Sequence, residues 1–173
     1  DGDNDLAVVN ENSNNISILK NAGDGTFSQQ INYKVGDRPW SIFLADFDED
    51  NDYDLVVSNA GSNNISILLN NGNGTFADHV TYKTGDGPSS VFSANFDEDN
   101  DNDLVVANYN SNDISILLNN GDGKFVNLVR YKVGDGPSSV YAADFDGDGD
   151  NDLAVANDKS NNISILLNNT VSP

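Results

Sequence analysis

The chain is built from one unit that recurs at a fixed period. The tetrapeptide "ISIL" begins at Ile16, Ile65, Ile114 and Ile163, so its copies are 49 residues apart. Such a period is typical of a repeat protein, in which each unit packs on its neighbours. The 173 residues hold about three and a half copies. We therefore predict a single, partial domain (1–173) with repeats at residues 1–35, 36–84, 85–133 and 134–173.

Each repeat has the pattern of short strands separated by turns. In the third repeat, "SSVFSANF", "DLVVANY", "ISILLNN" and "KFVNLVRYKVG" are β-branched or alternating apolar segments, and Asn, Asp and Gly separate them. No segment keeps a helical period for long enough to predict a helix. Four-strand units that recur about every 40–50 residues are typical of β-propeller blades. We predict an all-β fold of four-stranded antiparallel blades, with a parallel β-helix as the alternative.

Charge and composition exclude several classes of protein. The net charge is −20, so the chain is expected to repel nucleic acid and anionic membrane surfaces. The absence of Cys removes disulfides and thiol chemistry, and no apolar run is long enough to span a bilayer. Of the 28 acidic residues, 19 lie in four repeated loops. The negative charge is therefore concentrated in these loops and is not spread evenly over the surface.

The acidic loops have the spacing of a calcium site. When the second loop is numbered from Asp46, carboxylates fall at positions 1, 3, 5 and 9, and position 7 can offer its backbone carbonyl. Alternate side chains of a tightly wound loop converge on one point, and Ca²⁺ takes about six to eight oxygen ligands. Position 6 is Asn or Gly, which tolerate the left-handed conformation of a sharp turn. Mg²⁺ fits less well because it retains its waters.

The same positions in every loop give the predicted calcium ligands. They are Asp46, Asp48, Asp50, Asp52 and Asp54; Asn95, Asp97, Asp99, Asp101 and Asp103; Asp144, Asp146, Asp148, Asp150 and Asp152; and Asp1, Asp3 and Asp5 in the incomplete first loop. The third loop begins with Asn95, so we expect weaker binding there. The alternative is that these clusters only form turns, but three full copies in register favour calcium.

The order of the motifs resembles a known repeat family. Gly-x-x-Pro-Ser, Asp-Phe-Asp-x-Asp and Asp-Leu-x-Val-x-Asn follow one another in "GDGPSSVYAADFDGDGDNDLAVANDKSNNISILLNN". This unit is similar to the FG-GAP/VCBS repeat of integrin-α-type calcium-binding β-propellers. The resemblance implies structural Ca²⁺ in the loops, a ring that usually has seven blades, and a secreted or cell-surface protein. The chain is shorter than seven blades, so we expect additional chain before Asp1 or completion by other copies.

Three functions remain open from the resemblance. The first is an extracellular module for adhesion or for binding a protein or carbohydrate. The second is a structural subunit of a cell-surface array or filament, assembled through open strand edges. The third is an ancillary module of a polysaccharide-acting enzyme. We do not expect the chain itself to be an enzyme, since calcium accounts for each dense acidic cluster and only one His is present.

Three further groups of residues stand out in the sequence. Trp40, the single Trp, stands with Arg38 where other repeats have Ser and Gly, and the pair is a candidate ligand site; a local packing role for Trp40 is the alternative. Five sequons are candidate glycosylation sites: Asn15, Asn64, Asn73, Asn162 and Asn168. Six periodic aromatic residues are predicted to be core: Phe27, Phe76, Phe125, Tyr33, Tyr82 and Tyr131.

Overall fold

The computed structural model describes residues 2–169, with the side chain of Asn127 left aside. Within that range the chain forms strands and a single turn of 3-10 helix at Glu11–Ser13. The strands are β1 (Leu6–Asn10), β2 (Asn15–Leu19), β3 (Ile31–Lys34), β4 (Pro39–Ala45), β5 (Asp54–Asn59), β6 (Asn64–Leu68), β7 (Val80–Lys83), β8 (Pro88–Ala94), β9 (Asp103–Asn108), β10 (Asp113–Asn119), β11 (Phe125–Lys132), β12 (Pro137–Ala143), β13 (Asp152–Asn157) and β14 (Asn162–Leu166). No helix in residues 2–169 is long and apolar enough to cross a membrane.

The strands form four sheets, one in each repeat. The first sheet has the order β1-β2-β3, the second β4-β5-β6-β7, the third β8-β9-β10-β11 and the fourth β12-β13-β14. All pairings are antiparallel. The predicted all-β fold of antiparallel blades is confirmed, and the alternative of a parallel β-helix is wrong. The four sheets do not close into a ring.

The second strand of a full blade is its most buried element. In β5 all six residues of "DLVVSN" are buried, because neighbouring strands cover both edges and neighbouring sheets cover both faces. β5 is followed by a tight turn in which Asn63 takes a φ of 54°. Asn suits this left-handed position, and the other repeats also place Asn there. The turn sets the register in which Val57 lies opposite Ser66.

Apolar clusters join each sheet to the next. The cluster between the second and third sheets includes Phe47, Val56, Ile65, Leu104, Val106 and Phe125. Two similar clusters join the first sheet to the second and the third to the fourth. The first strands of the last three sheets lie side by side, with β4 against β8 and β8 against β12. Each full blade therefore starts at the inside of the molecule and runs outward, as in a propeller.

Aromatic pairs repeat across the blade boundaries. Tyr33 meets the edge of Phe76 at a centroid distance of 5.5 Å, and Tyr82 meets Phe125 at the same distance. The prediction that all six periodic aromatic residues are core is only partly right. Phe125 is buried, but Phe27 is 41% exposed and Tyr131 is 47% exposed. Phe27 belongs to the first repeat and Tyr131 to the third. The Tyr that would pair with Phe27 and the Phe that would pair with Tyr131 are not among the described residues.

The two ends of each blade carry different connections between strands. The acidic loops follow β4, β8 and β12, and the Gly-Asx-Gly turns lie at the same end. We call this the loop end. The segments that lead into Pro39, Pro88 and Pro137 lie at the opposite end, together with the tight Asn-rich turns. We call this the turn end.

Candidate metal centres and a groove at the turn end

Side-chain oxygens wind each acidic loop tightly. In the second loop, Asp46 Oδ2 accepts a hydrogen bond from the backbone N–H of Asn51 at 2.9 Å. Asp50 Oδ1 accepts one from the N–H of Asp52, also at 2.9 Å. The third loop repeats the second of these bonds, since Asp99 Oδ1 accepts from the N–H of Asp101 at 2.9 Å, whereas Asn95 Oδ1 accepts from the N–H of Glu98. Short polar side chains bond readily to nearby backbone in this way.

Two positions of each complete loop take a left-handed backbone. Position 6 does so as predicted, with φ values of 71° at Asn51 and 75° at Asn100. The sequence did not predict the second, at position 4, where Glu49 has a φ of 61°. The fourth loop places Gly147 there, at a φ of 86°, and avoids the strain that Glu bears. The second and third loops therefore keep Glu at a position better suited to Gly.

Carboxylates converge in two of the loops. Oxygen atoms of Asp46, Asp48 and Asp50 lie within 4.8 Å of one another, and so do those of the fourth-loop set. That set consists of Asp144, Asp146 and Asp152. Among the described residues, the third loop brings no three carboxylates this close. This difference matches the neutral Asn95 at its first position.

Two buried oxygens of the second loop lack partners. Asp46 Oδ1 and Asp48 Oδ1 are buried and accept no hydrogen bond within the protein. Burial raises the pKa of Asp48, and the neighbouring charges of Asp50 and Asp46 raise it further. A buried anionic oxygen is costly unless it is paired or coordinates a metal. This loop therefore fits a hard cation with oxygen ligands.

The last Asp of each loop has a role that the sequence did not predict. Asp54 is buried, and its two carboxylate oxygens accept from the backbone N–H groups of Phe47 and Asn70, each at 2.8 Å. Asp103 makes the equivalent bonds in the third repeat, also at 2.8 Å. Burial raises the pKa of both carboxyl groups to about 6. These residues tie the acidic loop to the end of the third strand of the blade.

Asp152 combines this tie with a place among the converging carboxylates. It accepts from the N–H groups of Phe145 at 2.9 Å and Asn168 at 2.7 Å. It is also within 4.8 Å of Asp144 and Asp146. A carboxylate oxygen has two lone pairs, so one N–H bond leaves capacity for a metal.

The carboxylates at position 7 face the Gly-Asx-Gly turn of their own repeat. A Cβ added to Gly72 would lie 3.0 Å from Asp52 Oδ2, and one added to Gly121 would lie 3.0 Å from Asp101 Oδ2. Both glycines have a left-handed φ. The glycines of the Gly-Asx-Gly turn therefore leave room for the side chains of the acidic loop.

In the incomplete first loop, the aspartates at positions 7 and 9 make contacts that their equivalents also make in the complete loops. Asp3 lies beside Gly23, and Asp5 Oδ1 accepts from the N–H of Asn21 at 2.8 Å. Asp1, the third predicted ligand of this loop, lies outside the described residues.

Neighbouring loops are joined by asparagine side chains. Asn102 Nδ2 donates to the carbonyl of Asp46 at 2.8 Å, and Asn151 Nδ2 donates to the carbonyl of Asn95 at 2.9 Å. Hydrogen bonding to Asp101 of the next loop raises the pKa of Glu49. The second repeat has Tyr53 at the position of these asparagines, and it is 69% exposed. The loops thus form a connected row across the blades.

At the turn end, Arg38 occupies a glycine position. Its φ is 51°, whereas Gly87 and Gly136 have 66° and 65° at the equivalent positions. Its backbone N–H donates to Asn14 Oδ1 of the preceding repeat at 2.9 Å. Its guanidinium donates twice to Glu11 Oε1, at 2.9 and 3.1 Å. The side chain is therefore held in place although it is exposed.

Trp40 lies beside Arg38 in a groove of about 490 Å³. The Trp40 side chain is 55% exposed and belongs to none of the apolar clusters. The opposite part of the groove includes Tyr109, Ser138 and Asp158. The sequence did not indicate Tyr109, because its equivalents in the other repeats, Glu11, Ala60 and Asp158, already differ from one another.

Comparison with known families identifies the repeat. A family model described as FG-GAP-like repeat matches residues 1–57, 46–106 and 95–155. The chain belongs to the FG-GAP-like repeat family. Its FG-GAP repeats thus include the three complete acidic loops and their flanking strands. None of the curated proteins compared with the chain matches it significantly.

Two solved structures are similar to these FG-GAP repeats in fold. A protein from Lactobacillus plantarum has a TM-score of 0.67 at 18% identity, over 96% of this chain and 52% of that one. BBS1N, solved in complex with ARL6DN, has a TM-score of 0.60 at 18% identity, over 96% of this chain and 53% of that one. Both are β-propellers. The chain spans about half the length of these two structures.

The sequon asparagines of the FG-GAP repeats lie in different surroundings. Asn15, Asn64 and Asn162 begin β2, β6 and β14, and each Oδ1 accepts from an Asn of the preceding strand. Asn168 Nδ2 donates to the carbonyl of Phe96 at 3.0 Å, so a glycan there would remove a bond between repeats. Asn73 lies exposed in a Gly-Asx-Gly turn.

The third repeat replaces the sequon Asn by a buried Asp that pairs with a half-exposed Arg, a feature that was not predicted from the sequence. Asp113 stands where the other repeats have Asn15, Asn64 and Asn162, and its carboxylate is 2.5 Å from the guanidinium of Arg130. Both residues depart from the repeat, which is the signal that could have identified the pair.

Proposed function

We propose that the chain is an extracellular, calcium-stabilised β-propeller module that binds a protein or carbohydrate ligand and has no enzymatic activity. The observation that carries the calcium proposal is the pair of buried, unpartnered oxygens Asp46 Oδ1 and Asp48 Oδ1. Membership of the FG-GAP-like family and the β-propeller fold of the similar structures support the role of a binding module.

The strongest candidate sites are the second and fourth loops. Asp46, Asp48 and Asp50 would hold Ca²⁺ in the second loop, and the Asp144 set would hold it in the fourth. Bound Ca²⁺ would supply the positive charge that balances these carboxylates. The chain itself winds the loop and fixes it to the blade through Asp54 and Asp152. The third loop would bind more weakly.

The proposed extracellular location would suit this use of calcium. Extracellular modules bind Ca²⁺ with dissociation constants of about 10⁻⁴–10⁻³ M, which exposed loops of this kind can reach. At these affinities the sites would be filled where calcium is abundant. Because the carboxylates of the loops are assigned to metal and backbone, we propose no catalytic role for them.

The test is thermal unfolding in calcium, magnesium and EGTA. At tenfold excess over the dissociation constant, each site adds about 1.4 kcal/mol. For a chain of this size, each kcal/mol raises Tm by about 2–4 °C. We expect calcium to raise Tm well above the value in EGTA, and magnesium to have a smaller effect.

A matched pair of variants separates metal binding from net charge. Asp48→Asn removes a ligand, whereas Asp78→Asn removes the same charge from an exposed position outside the loops. We expect only Asp48→Asn to reduce the calcium-induced rise in Tm. If EGTA leaves the Tm of the unmodified protein unchanged, the calcium proposal is wrong.

A second candidate function is that of a structural subunit in an array or filament. The fourth sheet exposes 70% of Ile163, whereas the equivalent Ile65 and Ile114 are fully buried between sheets. A second copy that packed there would bury this face. Light scattering in calcium tests the idea: we expect oligomers, and a compact monomer of 18.5 kDa would contradict it.

A further inference from the structure

The groove at the turn end contains exposed side chains that do not recur in the other repeats. Trp40 replaces the serine that the next two repeats carry, and most of its side chain is in contact with solvent. Arg38 replaces glycine and takes a left-handed backbone that disfavours any residue with a Cβ. Backbone strain and exposed aromatic surface that occur together are typical of binding sites.

Tyr109 is a second aromatic residue in the same groove. Lys159 Nζ lies 4.1 Å from the centroid of its ring. The Tyr109 hydroxyl donates to Asp158 Oδ2 at 3.3 Å. These contacts come from the next repeat and fix the orientation of the ring. The groove therefore has an aromatic side chain from each of two blades, and neither aromatic residue recurs at the equivalent positions of the other repeats.

The rest of the groove is small and polar. Ala60 and Gly87 line the groove as small residues, and Asn110 and Ser138 add an amide and a hydroxyl group; the Ser89 hydroxyl already donates to the carbonyl of Pro137 at 2.7 Å. The Ser138 hydroxyl has only a long hydrogen bond, 3.4 Å, to the carbonyl of Ala156. A volume of about 490 Å³ lies within the range of small-ligand sites.

The charges near the groove favour a neutral ligand. The guanidinium of Arg38 is paired with Glu11, and the ammonium of Lys159 lies over the Tyr109 ring. Asp158 adds a negative charge, and the chain as a whole has a net charge of −20. An anionic ligand would therefore be repelled. Aromatic faces bordered by hydroxyl and amide groups match a sugar ring, which has apolar C–H faces and a polar rim.

We propose that this groove binds a neutral oligosaccharide, with Trp40 and Tyr109 stacking on sugar rings and Ser138 and Asn110 bonding to their hydroxyls. This inference rests on the proposed role of the chain as a binding module, and it specifies the ligand class and the site. A protein ligand is the competing possibility, and the test below distinguishes it.

Trp40 gives a direct measurement, because it is the only Trp in the chain. The calcium-saturated protein is titrated with neutral oligosaccharides of glucose, xylose, mannose, galactose and N-acetylglucosamine, up to about 10 mM. We expect a saturable change in Trp emission with at least one of them, and no such change with oligosaccharides of uronic acids. Calorimetry then gives the affinity without relying on Trp.

Three variants localise the binding. Trp40→Ser introduces the residue of the next two repeats, so it should fold with a similar Tm and lose at least about tenfold in affinity. Tyr109→Ala should also weaken binding, and it serves as a second test if Trp40→Ser does not fold. Tyr53→Asn is the matched control: it removes an exposed aromatic residue at the loop end and should bind as the unmodified protein does.

The proposal is overturned if no neutral sugar binds, or if both Trp40→Ser and Tyr109→Ala bind as tightly as the unmodified protein. Binding of a protein but of no sugar also overturns it. The effect of calcium on Tm is measured on the same samples. A clear calcium effect without sugar binding would therefore reject this inference alone, whereas the absence of both would also reject the proposed calcium-stabilised module.

Discussion

The two ends of the blades follow different rules. At the loop end, the same residue recurs in the three complete loops: Asp54, Asp103 and Asp152 each tie their loop to the end of the third strand. At the turn end, Arg38 and Trp40 interrupt the pattern. In a repeat protein, a residue that recurs serves the unit, whereas one that departs from the pattern serves something specific to its place. We therefore expect the loop end to contribute to stability and the turn end to carry the proposed recognition site.

The sharpest test of this comparison is Asp54→Ala at the loop end. The change leaves the N–H groups of Phe47 and Asn70 buried without an acceptor, and each such group costs about 1–3 kcal/mol. We expect the free energy of unfolding to fall by about 3–5 kcal/mol in a urea titration. Asp37→Ala, at an exposed position of the turn end, should change it by less than about 0.5 kcal/mol. If both variants lost the same free energy of unfolding, the loop end would not be the end that contributes more to stability.

The pH dependence of stability should have opposite signs with and without calcium. The pKa of Asp54 and of Asp103 is about 6 in the folded protein without metal, above the ordinary value of 3.8. Their contribution to stability is present below pH 3.8 and is lost as the pH rises through 6. In EGTA, Tm should therefore fall over this range. In calcium it should rise, because protons compete with the metal. A rise in EGTA would contradict the assignment.

A pair of glycine variants tests the space around the loops. Gly121→Ala places a Cβ 3.0 Å from Asp101 Oδ2 at a left-handed position, whereas Gly25→Ala has a left-handed φ but no neighbour within 4 Å. Both lose about 1–2 kcal/mol from backbone strain. We expect Gly121→Ala to lose about 1 kcal/mol more and to reduce the calcium effect on Tm. Equal losses in urea unfolding would show that the Gly turns do not crowd the loops.

The smallest expected effect is at the turn end. Arg38→Gly removes a left-handed residue with a Cβ and also an exposed ion pair with Glu11, which is worth about 0–1 kcal/mol. We expect the free energy of unfolding to stay the same or to rise by up to about 1 kcal/mol. A loss above about 1 kcal/mol in the same urea titration would show that Arg38 stabilises the fold and would weaken the comparison.

The fold was predictable because its determinants are local and repeated. The "DLVV" runs and Asn-rich turns predict strands, and the spacing of Asp46, Asp48 and Asp50 predicts convergence. The role of Asp54 was not predictable, because its partner Asn70 is 16 residues away and approaches only when β6 is in place. The exposure of Tyr131 was missed because burial depends on a neighbouring blade, which no pattern within the repeat reports.

The groove could be predicted only in part for the same reason. Trp40 and Tyr109 are far apart in the sequence and line one groove because β4 and β8 lie side by side at the inside of the molecule. Trp40 was identified as an exception to the repeat. Tyr109 was not, because its equivalents already differ from one repeat to the next, so another difference carried little information.

The asparagine bonds between loops have a consequence for the proposed binding of calcium. Asn102 joins the second loop to the third, and Asn151 joins the third to the fourth. When one loop becomes ordered, it holds in place the hydrogen-bonding group that its neighbour uses. The neighbouring loop then loses less conformational entropy when it becomes ordered in turn. Binding should be cooperative along the row, with a Hill coefficient above one. The third loop, which lacks a carboxylate at its first position, would then be filled with the help of its two neighbours.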